Sequence, residues 1–362
     1  MKSVVFFVND LNSGGIENYL LRFLNYFDGK IKPTVVCKSG NFGELEEQYV
    51  KIKNIDLVML KIGYIDPAKI IELYGFLKAR NFDTVVDFTG NFAAFPLLVA
   101  KLVGINNRIA FYRGASNHFE KSKLKNIYNS FINRLVNQNA TSILSNSKAA
   151  LKFFFKNSDD QRFQVIYNGI DADKFFNSKF KDLRVDLEIP SGAFVISHVG
   201  RFAEAKNHKA IIETAISLCV TNKNVCFILC GKGVDSQFKD LITKEKLNTQ
   251  IKLLGYRNDV ISILKSSNAF FFPSLTEGQP NALLEAMITG LPFVASNIEP
   301  IKETVPVESH NFLVEPNDVN GMIEKLNLLI ENKELRDKMN FSDWARNNFD
   351  PNVLFNQFYS KL

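Results

Sequence analysis

Cysteine is scarce: Cys37, Cys219, Cys226 and Cys230 are the only four in 362 residues, and no two form a Cys-x-x-Cys pair. Cys226 and Cys230 fall on one apolar strand, so all four read as buried thiols. That reading sets aside a disulfide framework and a thiolate zinc site. Long apolar runs are also missing. The stretch Ala93-Ala94-Phe95-Pro96-Leu97-Leu98-Val99-Ala100 is among the longest, yet it contains a proline and falls well short of a bilayer span. The opening Met1-Lys2-Ser3-Val4-Val5-Phe6-Phe7-Val8 is too short an apolar run for a secretory signal and reaches Asn9 and Asp10 at once. There is no low-complexity tract, no recognised nucleic-acid motif and no GxGxxG fingerprint. No convincing acidic residue ends a following strand to hold a nicotinamide ribose, which speaks against a dehydrogenase. The net charge of +6 suits anionic partners such as phosphates or a membrane face and is too modest to argue for nucleic acid. These features read as a cytosolic, soluble protein.

What is present is globular: 46% hydrophobic and 23% charged residues, in a length that suits two domains of comparable size. Short apolar strands are expected at Ser3–Val8, Pro33–Cys37, Leu57–Leu60, Thr84–Phe88, Arg108–Tyr112, Ser142–Asn146 and Gln164–Tyr167, most of them separated by helical patterns. The first such helix carries Ile16, Tyr19, Leu20, Phe23, Leu24 and Phe27 on one stripe. The charged, turn-rich stretch Asp171–Ser191 reads as a linker. The pattern then restarts with strands Ala193–Val199, Asn224–Leu229, Gln250–Leu254, Ala269–Phe272 and Pro292–Ser296, and with helices at Lys209–Val220 and Asp235–Glu245. Alternating strands and helices predict parallel sheets covered on both faces. Open sheets of this kind bind ligands beyond the carboxyl ends of their strands, and two such domains facing each other would place a site in the cleft between them.

The stretch from Phe270 to Met287 carries the strongest chemical signal. An apolar strand, Phe270-Phe271-Phe272, runs through Pro273-Ser274-Leu275-Thr276-Glu277-Gly278-Gln279-Pro280 into the helix Asn281-Ala282-Leu283-Leu284-Glu285-Ala286-Met287. Gly278 removes a side chain where a ligand must approach the backbone, and Pro280 fits a first helical position. Helical Cβ atoms lean toward the N-terminus, so Glu285 projects back toward Glu277. Two carboxylates beside free helix-start N–H groups can hold a polyhydroxylated ligand, the acids accepting hydroxyl protons and the amides donating. The alternative is that Glu285 only complements the helix dipole and Glu277 is a solvated turn acid. At the end of an earlier strand, Gly200-Arg201-Phe202-Ala203-Glu204-Ala205-Lys206-Asn207-His208 brings two cations to the same mouth. Arg can bridge phosphate oxygens, while Lys acts as a point charge. Solvated loop cations are the plain alternative. Two further glycine turns, Gly231-Lys232-Gly233 and Gly255-Tyr256-Arg257, can admit the flat face of a base, and Gly14-Gly15 precedes a helix that can donate to phosphate or sugar.

Taken together, these blocks resemble glycosyltransferase family 4, the retaining, GT-B-fold glycosyl transferases of group 1. The blocks are Gly14-Gly15-Ile16-Glu17, Tyr167-Asn168-Gly169-Ile170-Asp171, Gly200-Arg201 with Lys206, Gly255, Glu277 through Glu285-Ala286-Met287, and Gly290-Leu291-Pro292. The block from Glu277 to Glu285, with Gly290-Leu291-Pro292 following it, matches the family's E-x7-E signature. The resemblance implies an α/β fold of two Rossmann-like, doubly wound parallel-sheet domains facing across a cleft. Residues 1–180 would read the acceptor and residues 181–344 would bind the nucleotide sugar, with a C-terminal helix at about 345–362 packing back on the first domain. It implies a hexosyltransferase that uses a nucleotide-diphosphate sugar, needs no metal and works in surface-polysaccharide or glycolipid assembly; no Asp-x-Asp metal site stands among the matched blocks.

By position, Arg201 and Lys206 would neutralise the donor pyrophosphate, and Glu277 with the backbone of Gly278, Gln279, Pro280 and Asn281 would hold the transferred sugar. Glu285 would take the ribose hydroxyls, the turn at Gly231 and the one at Tyr256 and Arg257 would hold the base, and Gly14 and Gly15 would close over the phosphate–sugar junction. Fixed cations aimed at a departing diphosphate stabilise the transition state more than the ground state. One departure stands out: where many relatives carry a histidine, this chain has Asp87-Phe88-Thr89-Gly90-Asn91. Arg113, Asn117 and His118, after the strand Arg108–Tyr112, are the acceptor-side candidates, with His118 able to help a proton transfer or to be an ordinary surface residue. His198 reads as a core residue, His208 as structural, and His310 carries no signal.

The segment Lys121–Val136 opens with Lys121, Lys123 and Lys125 and carries Ile127, Tyr128, Phe131, Ile132, Leu135 and Val136 as a stripe. It could rest peripherally on the anionic inner face of a membrane and receive a lipid-linked acceptor. On pattern alone, an ordinary amphipathic helix packed on its sheet is the favoured reading. Two other functions fit the same blocks: a nucleotide-sugar epimerase of this fold and a non-catalytic nucleotide-sugar-binding scaffold.

Overall fold

A computed structural model describes residues 1–62, 66–114, 123–155 and 160–362, with the side chains of residues 123–126 left aside. The chain divides into two units. The first comprises Met1–Gly169 with Pro351–Leu362, and the second Ile170–Asp350.

In the first unit seven parallel strands form one sheet: β1 (Lys2–Val8), β2 (Ile31–Cys37), β3 (Asp56–Met59), β4 (Thr84–Asp87), β5 (Asn107–Tyr112), β6 (Ser142–Ser145) and β7 (Phe163–Val165). Their order is β3-β2-β1-β4-β5-β6-β7. The run Val4-Val5-Phe6-Phe7-Val8 is wholly buried because helices cover both sheet faces, so apolar residues follow one another without alternating. Phe6 pairs with Val35 on one side and Val86 on the other, which fixes the register of the central strands.

The last helix of the chain, Pro351–Tyr359, belongs to this unit. Phe355 and Phe358 lie in one core with Tyr19, Phe23, Phe88 and Phe111, and burial of each phenylalanine contributes roughly 1.5–3 kcal/mol. The tail is tied at its end as well: Thr84 Oγ1 donates to Leu362 O at 2.7 Å and Asn107 Nδ2 to Lys361 O at 2.6 Å. Gly169 backs onto this helix so closely that a Cβ there would stand 2.5 Å from Pro351 Cα.

The second unit has six parallel strands, β8 (Phe194–Val199), β9 (Val225–Cys230), β10 (Ile251–Leu254), β11 (Ala269–Phe272), β12 (Phe293–Ser296) and β13 (Leu313–Val314), in the order β10-β9-β8-β11-β12-β13. Strand β13, only two residues long, went unread in the sequence. The stretch read as a linker holds two short helices instead, Ala172–Asn177 and Leu183–Asp186, capped by Asp171 and Asp182. Leu183 is buried against Ile189, Val195 and Ile263. The helix read as Asp235–Glu245 is broken into Val234–Gln237 and Lys239–Lys244. Ile170 N–H donates to Phe349 O at 2.9 Å, so the two ends of this unit run side by side.

All four cysteines are buried and free, as the sequence implied. Burial pushes the Cys37 thiol up to about 12 and that of Cys230 to about 11, which leaves both inert. Among the described residues, no helix is long and apolar enough to cross a membrane.

Candidate active site

In each sheet the order of strands reverses once: between β1 and β4 in the first unit, and between β8 and β11 in the second. The crevice beyond the carboxyl ends of the strands at such a reversal is where open α/β sheets bind ligands.

In the second unit the chain leaves β8 at Gly200-Arg201 and makes a 3₁₀ turn over Glu204–Lys206. It enters the helix His208–Thr221 through Asn207, whose backbone is left-handed at φ 56°. Asn is among the few side-chain-bearing residues that tolerate this conformation. Asn207 also fastens the neighbourhood, since its Nδ2 donates to Pro273 O at 3.0 Å and to Pro316 O at 2.7 Å. Leu275 N–H donates to Ala205 O at 2.8 Å. These bonds zip the loop after β8 to the loop after β11. As a result, Lys206 Nζ meets Glu277 Oε1 at 2.6 Å while lying 4.7 Å from the centroid of the Phe272 ring. The two side chains named from the sequence, 71 residues apart, therefore form one ion pair at the strand reversal. Both keep some exposure, 21% for Lys206 and 11% for Glu277, so a ligand can reach them.

The helix after this loop runs Asn281–Ile288, with Pro280 as its N-cap and no side-chain cap bond. Pro280 thus stands one position earlier than the sequence reading placed it. A helix start without a capping side chain, next to Glu277, suits oxygen-rich ligands. Gly278 and Glu285 are half-buried, and Gln279 is buried at the same junction. Arg201 is exposed. Tyr256 is 57% exposed, an unusual degree for a tyrosine in a turn after a strand. Arg257 holds Asp259 through two bonds, Nε to Oδ1 at 2.7 Å and Nη2 to Oδ2 at 2.6 Å, so its fork is engaged within the turn. That pairing raises the Arg257 pKa and holds the Asp259 carboxyl below the usual range.

Glycine at 231 and 255 has an internal reason. A Cβ on Gly231 would overlap the Gly200 carbonyl, and one on Gly255 would stand 3.0 Å from Asp235 Oδ2. These turns are narrow because protein atoms approach them.

His198, a wholly buried residue of β8, lies beneath this loop. Its Nδ1 lies 2.9 Å from Phe271 O. A carbonyl only accepts, so Nδ1 carries the proton and Nε2 is a bare acceptor without a partner. Burial, and then the nearby His208, push its pKa down to about 3. Below its unfolded value of about 6.5 the unfolded chain takes up a proton that the folded chain refuses until about pH 3, so stability falls as pH drops through that window. Between pH 7 and pH 5 this one group should remove about 2 kcal/mol from the second unit. Urea midpoints at the two pH values test this: the loss should shrink in His198→Gln, and an equal loss in that variant would refute it.

In the first unit Gly14 is the extended N-cap of the helix Gly15–Tyr26, without a side-chain cap bond. A Cβ at Gly14 would overlap the Glu17 carboxylate, so that acid folds back against its own helix start. At the strand reversal the chain places a pair that sequence reasoning missed. Lys38, just after β2, donates to Asp87 Oδ2 at 3.0 Å, Thr89 Oγ1 at 2.6 Å and Phe92 O at 2.9 Å. Asp87 is fully buried and Lys38 only 7% exposed. No sequence signal marks a pairing of residues 49 apart; the one hint is an acid closing an otherwise apolar strand.

Arg113 follows β5 directly, with its guanidinium 3.8 Å from the centroid of the Tyr19 ring and Nη2 donating to Asn168 Oδ1 at 2.5 Å. Asn117 and His118 lie outside the described residues. The basic helix is observed as Lys123–Asn139. Its stripe divides: Ile132 and Val136 are buried, whereas Ile127 and Phe131 are 67% and 56% exposed. Asp171, the last residue of a matched block, and Asp173 two residues on are engaged elsewhere: Asp171 caps a helix by accepting from Lys174 N, and Asp173 accepts from Arg346 at 2.9 Å.

Residues 13–174 match a family model described as Glycosyltransferase Family 4, and residues 179–342 match one described as Glycosyl transferases group 1. The UDP-Gal:alpha-D-GlcNAc-diphosphoundecaprenol alpha-1,3-galactosyltransferase of Escherichia coli is 29% identical over 313 residues, covering 83% of this chain and 80% of that protein. The N-acetylgalactosamine-N,N'-diacetylbacillosaminyl-diphospho-undecaprenol 4-alpha-N-acetylgalactosaminyltransferase of Campylobacter jejuni is 23% identical and covers 93% and 92% of the two chains. The crystal structure of Anabaena HepE in complex with UDP and glucose superposes with a TM-score of 0.81 over 99% of both chains at 19% identity.

Proposed function

The chain belongs to glycosyltransferase family 4 and has the GT-B fold, and on that premise we propose that it transfers a hexose from a nucleoside-diphosphate sugar to a lipid-linked or glycan acceptor with retention of configuration. It is a glycosyltransferase of polysaccharide or lipid-linked sugar assembly. The observation that carries the finer reading is the Lys206–Glu277 pair at the strand reversal of the second unit.

In this reading the second unit holds the donor and the first reads the acceptor. The sugar–phosphate C–O bond breaks with its electron pair passing to the diphosphate, and the acceptor oxygen bonds to the same face of the sugar. Lys206 and Arg201 take the growing charge on the leaving group, which is why no metal ion is needed. Glu277 turns from Lys206 to a sugar hydroxyl, with the backbone of Gly278, Gln279, Pro280 and Asn281 beside it. Glu285 accepts from the ribose. Exposed Tyr256, with the turns at Gly231 and Arg257, faces the base. Gly14 and Gly15 cover the phosphate–sugar junction, and Arg113, Asn117 and His118 face the acceptor, with His118 aiding proton transfer. Ion pairing before the donor arrives keeps the cation and the acid in place, so little reorganisation is left for the chemical step.

The E. coli and Campylobacter relatives are named for diphospho-undecaprenol acceptors, and HepE was crystallised with UDP and glucose; both support a nucleoside-diphosphate sugar and a lipid diphosphate here. Exposed Ile127 and Phe131 support a peripheral contact with an anionic membrane on its inner face. The test is incubation of the purified protein with UDP-, GDP- and TDP-hexoses and a GlcNAc-diphosphoryl lipid. The expected product is a lengthened lipid-linked glycan with release of the nucleoside diphosphate. No transfer from any donor in the panel would overturn the proposal.

A further inference from the structure

Among the described residues, no carboxylate forms an ion pair with Arg113. The guanidinium is stacked 3.8 Å from the Tyr19 ring centroid, 5.0 Å from that of Phe111 and 6.0 Å from that of Phe88. Asn168, 1% exposed, accepts from Nη2. The other two nitrogens, Nε and Nη1, are shut off from solvent and make no well-aligned hydrogen bond among the described residues; the hydroxyl of wholly buried Tyr19 faces the guanidinium as a neutral group, not a counter-ion. Arg22, three residues beyond Tyr19 on the same helix, lies close enough to oppose the Arg113 charge, and Glu17 attracts it through space. Stripping water from a guanidinium without a bonded counter-ion is costly, and aromatic faces return only part of that cost. Such an arrangement is stable in use when an anion completes it.

The second unit already supplies cations of its own, Arg201 and Lys206, for a donor diphosphate. A separate receptor in the first unit therefore fits a second anion, one carried by the acceptor. We propose that Arg113, seated on the Tyr19, Phe88 and Phe111 rings and steered by Asn168, binds the diphosphate of a lipid-linked acceptor and selects for acceptors that carry one. The inference rests on the donor reading above. Arg113 as a whole is half-buried, so a small turn on the Tyr19 face presents an N–H edge to phosphate oxygens.

Octyl diphosphate, which has the anion and no sugar, serves as the probe. It is titrated into the full-length protein by calorimetry with and without saturating UDP. Wild type should bind it in both cases. Arg113→Gln should weaken that binding by about tenfold or more and leave UDP affinity unchanged. Asn168→Asp places a carboxylate on the same guanidinium and should weaken octyl diphosphate comparably without loss of fold; it decides the matter if Arg113→Gln does not fold. Unchanged octyl diphosphate affinity in both variants overturns the proposal, as does the absence of binding to wild type. Displacement of octyl diphosphate by UDP, or a fall in UDP affinity in Arg113→Gln, also overturns it by assigning the anion to the donor. Failure of wild type to bind UDP would strike the donor reading while leaving the octyl diphosphate measurements readable.

Discussion

Lys206→Ala should lower kcat by about 10²–10³-fold, corresponding to about 2.7–4 kcal/mol of transition-state stabilisation. The ammonium is placed for charge that develops only as the diphosphate departs, so the loss should fall mainly on kcat and less on UDP affinity. The fold should survive. The lost partner is an ion pair of which both members keep contact with solvent, and such pairs contribute little to stability. The variant also leaves Glu277 beside the donor phosphates with no cation between them. Glu277→Gln in the same background should therefore recover part of the rate, and Lys206→Arg should keep more activity than alanine because the charge stays. Steady-state kinetics with a saturating donor, alongside thermal unfolding, separates these effects. A Lys206→Ala enzyme with unaltered kcat would dismiss the assignment.

Lys38→Met should destabilise the first unit by about 3–5 kcal/mol, because it leaves the Asp87 carboxylate buried without its counter-ion. The ammonium has three donors and the structure gives it three acceptors, Asp87, Thr89 and the Phe92 carbonyl, so its whole hydrogen-bonding capacity is used here. Asp87 would keep only the N–H and hydroxyl of Thr89. The double variant Lys38→Met with Asp87→Leu removes both charges and should recover most of the loss, since an apolar pair can match a buried ion pair. Urea unfolding of both variants, followed by a probe in the first unit, measures the difference. A shift below about 1 kcal/mol in Lys38→Met would mean that the pair is far wetter than its burial indicates.

Much of this architecture was legible in the chain because its strands are buried on both faces. A run such as Val4–Val8 has no amphipathic alternation to be misread, and a glycine or polar turn follows at its carboxyl end. The pairing of Lys206 with Glu277 was legible for a related reason. Both lie within a few residues of a strand end, and strand ends at a reversal in sheet order are positions that converge. What escaped was whatever depends on contacts remote in sequence. Strand β13 forms only through pairing with β12 and has almost no signal of its own. The stripe on Lys123–Asn139 has the right period, yet packing covers Ile132 and Val136 and leaves Phe131 outside. Tyr19 reads as one more apolar residue of a helix stripe until Arg113 is seen on its ring. Gly231 looks like ordinary turn chemistry until the Gly200 carbonyl is found where its side chain would be.

The two places where the backbone passes from one unit to the other, after Gly169 and after Asp350, have a bearing on biosynthesis. Phe355 and Phe358 pack among the aromatic rings of Tyr19, Phe23, Phe88 and Phe111, all of them made long before. On the ribosome, the amino-terminal sheet must wait with that packing incomplete until residues 351–362 emerge, while the intervening sheet, contiguous in sequence, can close first. A fusion partner or a nick near the carboxyl end would accordingly disturb the half of the molecule that is translated first.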